Sequence, residues 1–112
     1  MRWVGGINAP GLGGWRINAS WPFGVLLLSD GQVTVKLRWV GRVLGTTALV
    51  CQPRDLALAF PCDGRFSQGV GLRTNAGAEI YFWTGQRVEV LSQMARLGFS
   101  TGNERQRARS IR

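Results

Sequence analysis

The chain has 112 residues, 45% of them hydrophobic and 18% charged, with a formal net charge of +8 and no histidine. That length suits one domain around one core, and the hydrophobic share excludes a chain too polar to fold. The missing histidine removes the usual general base and the commonest metal ligand, which excludes histidine-paired nucleophiles.

Residues 5 to 14 hold five glycines and Pro10, which predicts an irregular, flexible leader over residues 1–14. Its Met1-Arg2-Trp3-Val4 start is followed by glycines in place of a continuous apolar run, so a secretory signal is not expected. Gly11-Leu12-Gly13-Gly14 has the look of a phosphate-binding loop, yet no strand is predicted before it and no helix after it. The Asn18-Ala19-Ser20 sequon would matter only after secretion.

Trp15-Arg16-Ile17 reads as a short edge strand and Val25 to Ser29 as a buried one, with Asp30-Gly31 supplying a tight hairpin turn. In the return strand Val33, Val35, Leu37 and Trp39 alternate with Gln32, Thr34, Lys36 and Arg38, one face for the core and one for water. Gly41 and Gly45 bracket a turn, Thr46 to Cys51 forms the next strand, and Pro53 ends it. Leu56, Leu58 and Phe60 alternate with Ala57 and Ala59 in a fourth strand, closed by a turn at Pro61, Asp63 and Gly64. Residues 70–74 and 78–83 form a hairpin through Asn75-Ala76-Gly77.

The period then changes to that of a helix over residues 85–98. Val88, Leu91 and Met94 or Ala95 form its apolar stripe, flanked by Val90 and Leu97. Thr84 is placed to cap the first turn, Gly98 to stop the helix in a left-handed conformation, and Phe99 to fold back onto the last turn. The folded domain spans 15–99, and the basic tail over 100–112 lacks apolar periodicity and is expected to be disordered.

Chemistry-bearing groups are sparse. Asp55 and Asp63 sit by arginines or turns and read as turn and salt-bridge residues; with Glu79 they would make a reaction centre only by gathering in a deep polar pocket. Cys51 and Cys62, eleven apart, do not have zinc spacing and are expected as reduced buried thiols in a cytoplasmic protein. No enzyme activity, cofactor or metal is expected.

Net charge draws the chain toward phosphate-bearing surfaces. The four arginines of residues 105–112, taken from +8, leave +4 for the remainder. Candidate anion or nucleic-acid contacts are Lys36, Arg38, Arg105, Arg107, Arg109 and Arg112. Of the five tryptophans, Trp39 is assigned to the core and Trp83 to packing at the helix start. Trp3, Trp15 and Trp21 are the candidate exposed aromatics.

The ending Glu79-Ile80-Tyr81-Phe82-Trp83-Thr84, followed by Val88-Glu89-Val90-Leu91 and Ala95-Arg96-Leu97-Gly98-Phe99, resembles small bacterial PH-like (pleckstrin-homology-like) domain proteins. Leu28-Ser29-Asp30-Gly31, Arg54-Asp55-Leu56 and Gly71-Leu72-Arg73 extend the similarity over residues 17–99. The resemblance implies a mainly β fold with one C-terminal α-helix: a strongly bent antiparallel sheet or partly open barrel of six to seven strands, capped by the helix. It also implies a non-catalytic module that binds another protein or docks at an anionic membrane surface, cytoplasmic or peripheral at the membrane. Lys36-Leu37-Arg38 has the Lys-x-Arg spelling of phosphoinositide-binding members, but beside a tight Asp30-Gly31 turn it reads as a solvated strand face. The alternative is nucleic-acid binding through the arginine-rich tail.

Overall fold

The computed structural model describes residues 1–10, 16–37, 46–64 and 67–107. The expectations for Gly11 to Gly14, Trp15, Arg38, Trp39, the turn between Gly41 and Gly45, Arg109 and Arg112 lie outside them.

The described residues form strands β1 (Arg2–Pro10), β2 (Arg16–Ser29), β3 (Gln32–Leu37), β4 (Thr46–Cys51), β5 (Leu56–Asp63), β6 (Gln68–Thr74), β7 (Glu79–Trp83) and β8 (Gln106–Arg107), with helix α1 (Arg87–Arg96) between the last two. They join one sheet in the order β4-β3-β2-β1-β7-β6-β5-β8. The first seven are antiparallel to their neighbours, and β8 is parallel to β5.

The chain length between β4 and β5 dictates that this sheet is rolled. β4 and β5 are six strand spacings apart in sheet order, about 29 Å if the sheet were flat at ~4.8 Å per spacing. Yet Cys51 and Leu56 are joined by a connection that stretches to at most about 18 Å. The sheet therefore curls until its two ends approach across the short 3-10 turn Pro53–Asp55. The concave side holds one core, to which β1 through β7, α1 and Phe99 all contribute.

The glycine-rich N-terminus corrects the sequence reading. In place of a flexible leader, Arg2–Pro10 is an inner strand between β2 and β7, and Trp3 is buried. Its glycines serve close approach: a Cβ on Gly5 would collide with the Trp83 carbonyl oxygen. β2 joins the two predicted pieces into one strand of 14 residues. Between Ala19 and Gly24, residues 20–23 of β2 oppose only Gly6, and this bulge leaves Trp21 70% exposed.

At the Asp30-Gly31 hairpin both residues have positive φ, 53° and 73°, the signature of a tight turn matched to sheet twist. β3 keeps the predicted alternation, with Val33, Val35 and Leu37 buried and Gln32, Thr34 and Lys36 half-exposed. In β5 the simple alternation fails, because one residue, Ala57, is extra in the pairing with β6 between Leu56 and Leu58. The phase shift sends Leu56 and Ala59 into the main core. Phe60 and Cys62 instead join Tyr81 in a second cluster, against which Leu58 and Trp83 pack. β5 also runs through Pro61, where a turn was expected.

Helix α1 is shorter than the predicted 85–98 and buries a different stripe. Val90 and Met94, one turn apart, enter the core; Leu91 is half-buried, while Val88 is 75% exposed and Leu97 is exposed. The apolar positions alone left the facing direction open, and packing on β5 and β6 decided it. Thr84 lies outside the N-cap, which is Gln86; its hydroxyl accepts the Gln86 N–H at 3.0 Å. The predicted stop is present: Gly98 has φ +94°, its N–H donates to Ala95 O, and Phe99 N–H reaches Met94 O at 3.1 Å.

Residues 100–107 are ordered against β5, contrary to the expected disordered tail. Ala59 N–H donates to Ser100 O, Gly102 N–H donates to Ala59 O, both at 2.8 Å, and Gln106–Arg107 pair with Cys62 and Asp63. These bonds satisfy backbone groups that an outer strand would otherwise leave to solvent.

Candidate functional site

Two surfaces of this scaffold leave an apolar side chain exposed. The first is the β4 edge. Thr46–Cys51 carries no charge and, among the described residues, pairs only with β3. Val35 and Lys36 face Leu49 and Thr47, so Ala48 is bulged out, and the regular stretch is Leu49 to Cys51. Leu49 packs against the core and Val50 stands 51% exposed on the opposite face, beside Thr34.

The second is a cleft between α1 and the C-terminal arm, residues 100–107. Its volume is about 390 Å³, and its walls are Val88, Leu91, Ser92 and Ala95 of α1, Pro61 of β5, and the arm from Thr101 to Arg105 apart from Glu104. Arg87 and Arg105 stand at its margin. Behind them Asp63 holds both guanidiniums: Arg87 Nη1 donates to Oδ1 and Arg105 Nε to Oδ2, each at 2.9 Å. Arg87 Nη1 also donates to the Cys62 carbonyl at 3.2 Å. The two donors push the Asp63 carboxyl below its ordinary pKa, Arg105 contributing most and Arg87 next.

Above the second cluster lies a separate polar network. Glu79 is buried and receives Arg73 Nε at 2.8 Å and the Tyr81 hydroxyl at 2.6 Å. Arg73 also donates to Gln106 Oε1 at 3.0 Å and lies over the Phe60 ring at 5.0 Å, while Trp83 stacks on Tyr81 at 5.8 Å. Trp83 thus packs on the sheet's second cluster. A buried carboxylate is tolerable here because a guanidinium and a phenol both bond to it.

The three carboxylates weighed as a reaction centre therefore go to different duties. Asp55 Oδ2 accepts the Gln52 N–H at 3.2 Å and closes the turn before β5, Asp63 is shared by two arginines, and Glu79 by Arg73 and Tyr81. No three His, Cys, Asp or Glu side chains converge on one point among the described residues. Both thiols are buried and free, and that of Cys62 is pushed up to about 12, first by burial and then by Asp63 and Glu79. Such a thiol stays protonated and unreactive at neutral pH.

Of the predicted anion contacts, Lys36 is half-exposed on the wet face of β3, and Arg105 is tied to Asp63 at the cleft. Arg107 enters β8 by its backbone. Lys36 lies on β3, second in the sheet order, while Arg105 lies in the arm beside β5 and forms its ion pair with Asp63. The residues that line the cleft were not singled out from sequence as a group. Val88 was the signal available, an apolar residue assigned to the helix stripe that the fold turns outward.

The fold and these two surfaces define a small mainly β protein with seven antiparallel strands in one sheet and a C-terminal helix on β5 and β6. No protein-family model matches the chain, and no curated protein matches it. No described helix is long and apolar enough to cross a membrane.

Proposed function

We propose that this chain is a PH-like, non-catalytic interaction module that docks a segment of another protein. The observation that carries the reading is the apolar ground left open at both docking surfaces: Val50 at the β4 edge and Val88 in the cleft. An outer strand without charge is a template for strand addition, and a helix-adjacent groove with an apolar wall receives a peptide side chain. The rolled meander closed by a C-terminal helix agrees with the resemblance of residues 17–99. The engagement of Asp55, Asp63 and Glu79 in separate structural pairs adds support, since none is left to share a substrate.

The test is retention of partners from native lysate on immobilised protein, with one half treated with nuclease and the other with detergent. The reading expects proteins held in both halves and lost by the Val50→Lys/Val88→Lys double variant. Retention that vanishes with nuclease would favour nucleic-acid binding through the arginine tail instead. Retention that vanishes only with detergent would favour an anionic membrane surface.

A further inference from the structure

We infer that the cleft between α1 and the C-terminal arm takes an acidic peptide with an apolar side, an assignment that rests on the interaction-module reading. The lining contains two guanidiniums, Arg87 and Arg105, and no carboxylate. One carboxylate, Asp63, lies behind the pair and takes a single bond from each. A guanidinium has five N–H donors. Arg105, with its side chain 64% exposed, spends one on Asp63, its hydrogen-bond partner among the described residues. Glu104 is exposed and does not line the cleft, and the sequence beyond it adds Arg107, Arg109 and Arg112 with no acid.

The walls set the rest of the partner's chemistry. Val88, Leu91 and Ala95 follow helical spacing of three and four, so they form one apolar ridge, and Pro61 faces it from β5. A Val side chain left 75% exposed beside arginines gains from an apolar side chain laid across it, while a partner carboxylate meets the guanidiniums. Asn103 and Ser92 add polar groups at the margins. A basic partner would meet like charge, and a wholly apolar one would bring no acceptor to the Arg105 donors that Asp63 does not take. The β5 edge is already filled by the chain's own arm, so the partner is held by side chains in the cleft and not by pairing to that edge.

The test uses the full chain and fluorescence anisotropy at low salt. Its probe is a labelled peptide Glu-Leu-Asp-Val-Glu-Leu-Asp, compared with its Gln/Asn counterpart. The acidic peptide is expected to bind, and the neutral one at least about tenfold more weakly. Arg105→Gln and Val88→Asp, both at exposed positions, should each weaken the acidic peptide by about tenfold with unchanged circular dichroism. Ala76→Asp makes the same charge change at an exposed position of the β6–β7 turn, outside the cleft lining, and should leave affinity within about twofold, since exposed charges are screened by solvent and salt. Equal binding of the two peptides, no binding of either, or equal weakening by Ala76→Asp and Val88→Asp overturns the assignment. If the lysate experiment still returns proteins that the double variant loses, only the acidic-peptide assignment falls. If that retention is also missing, the module reading falls with it.

Discussion

Met94 has no exposed surface and lies in the main core with Val90 and Phe99, whereas Leu91 on the same helix is half-buried at the cleft wall. Met94→Ala is therefore expected to cost about 2 to 5 kcal/mol and Leu91→Ala less, read as the shift in urea midpoint. Asp63 supplies a pH-dependent contribution whose sign follows from its lowered native pKa. Its stabilisation is complete above the unfolded Asp value of about 3.9 and is lost as pH falls through the native value below that. The gap in Tm between wild type and Asp63→Asn should be present at neutral pH and close in strong acid; a gap independent of pH would remove the ion-pair account. That Asp63 serves a salt bridge could be read from its sequence neighbourhood. Its partners could not, since Arg87 and Arg105 are 24 and 42 residues away.

Individual elements differ in how completely their own residues specify them. The helix stop is wholly local: Gly98 adopts φ +94° and Phe99 folds back, as the sequence predicts. Gly98→Ala should cost about 1 to 2 kcal/mol from the left-handed conformation alone. Because no atom lies within 4 Å of a Cβ placed there, a steric clash is not the cause. Thermal unfolding of Gly98→Ala beside Gly98→Asn separates the two, since Asn visits that region more readily and should recover part of the loss. The Asp30-Gly31 hairpin and the alternation of β3 were equally legible, each being set by residues two apart. β5 was not: the extra residue at Ala57 exists only in the pairing with β6, and it decides which of Leu58, Ala59 and Phe60 faces the main core.

Across the whole molecule, the C-terminal arm links the sheet edge to the cleft. Removing residues 100–112 would uncover the β5 edge, delete one cleft wall and leave Asp63 without Arg105. The truncated chain is expected to self-associate through the bared strand, seen by sedimentation as species larger than the full chain gives at equal concentration. A truncated chain with unchanged sedimentation would show that the arm does not protect this edge. The amino-acid sequence alone determined the class: a small mainly β protein, its main hairpins, its C-terminal helix and the turn residues that punctuate them, because each depends on spacing within a few residues. Only the tertiary structure decided that the glycine-rich start is an inner strand, that Val88 faces out while Val90 faces in, and that the basic arm lies along β5. Each of those outcomes depends on backbone or side chains brought close from distant parts of the chain, and local periodicity carries no record of them.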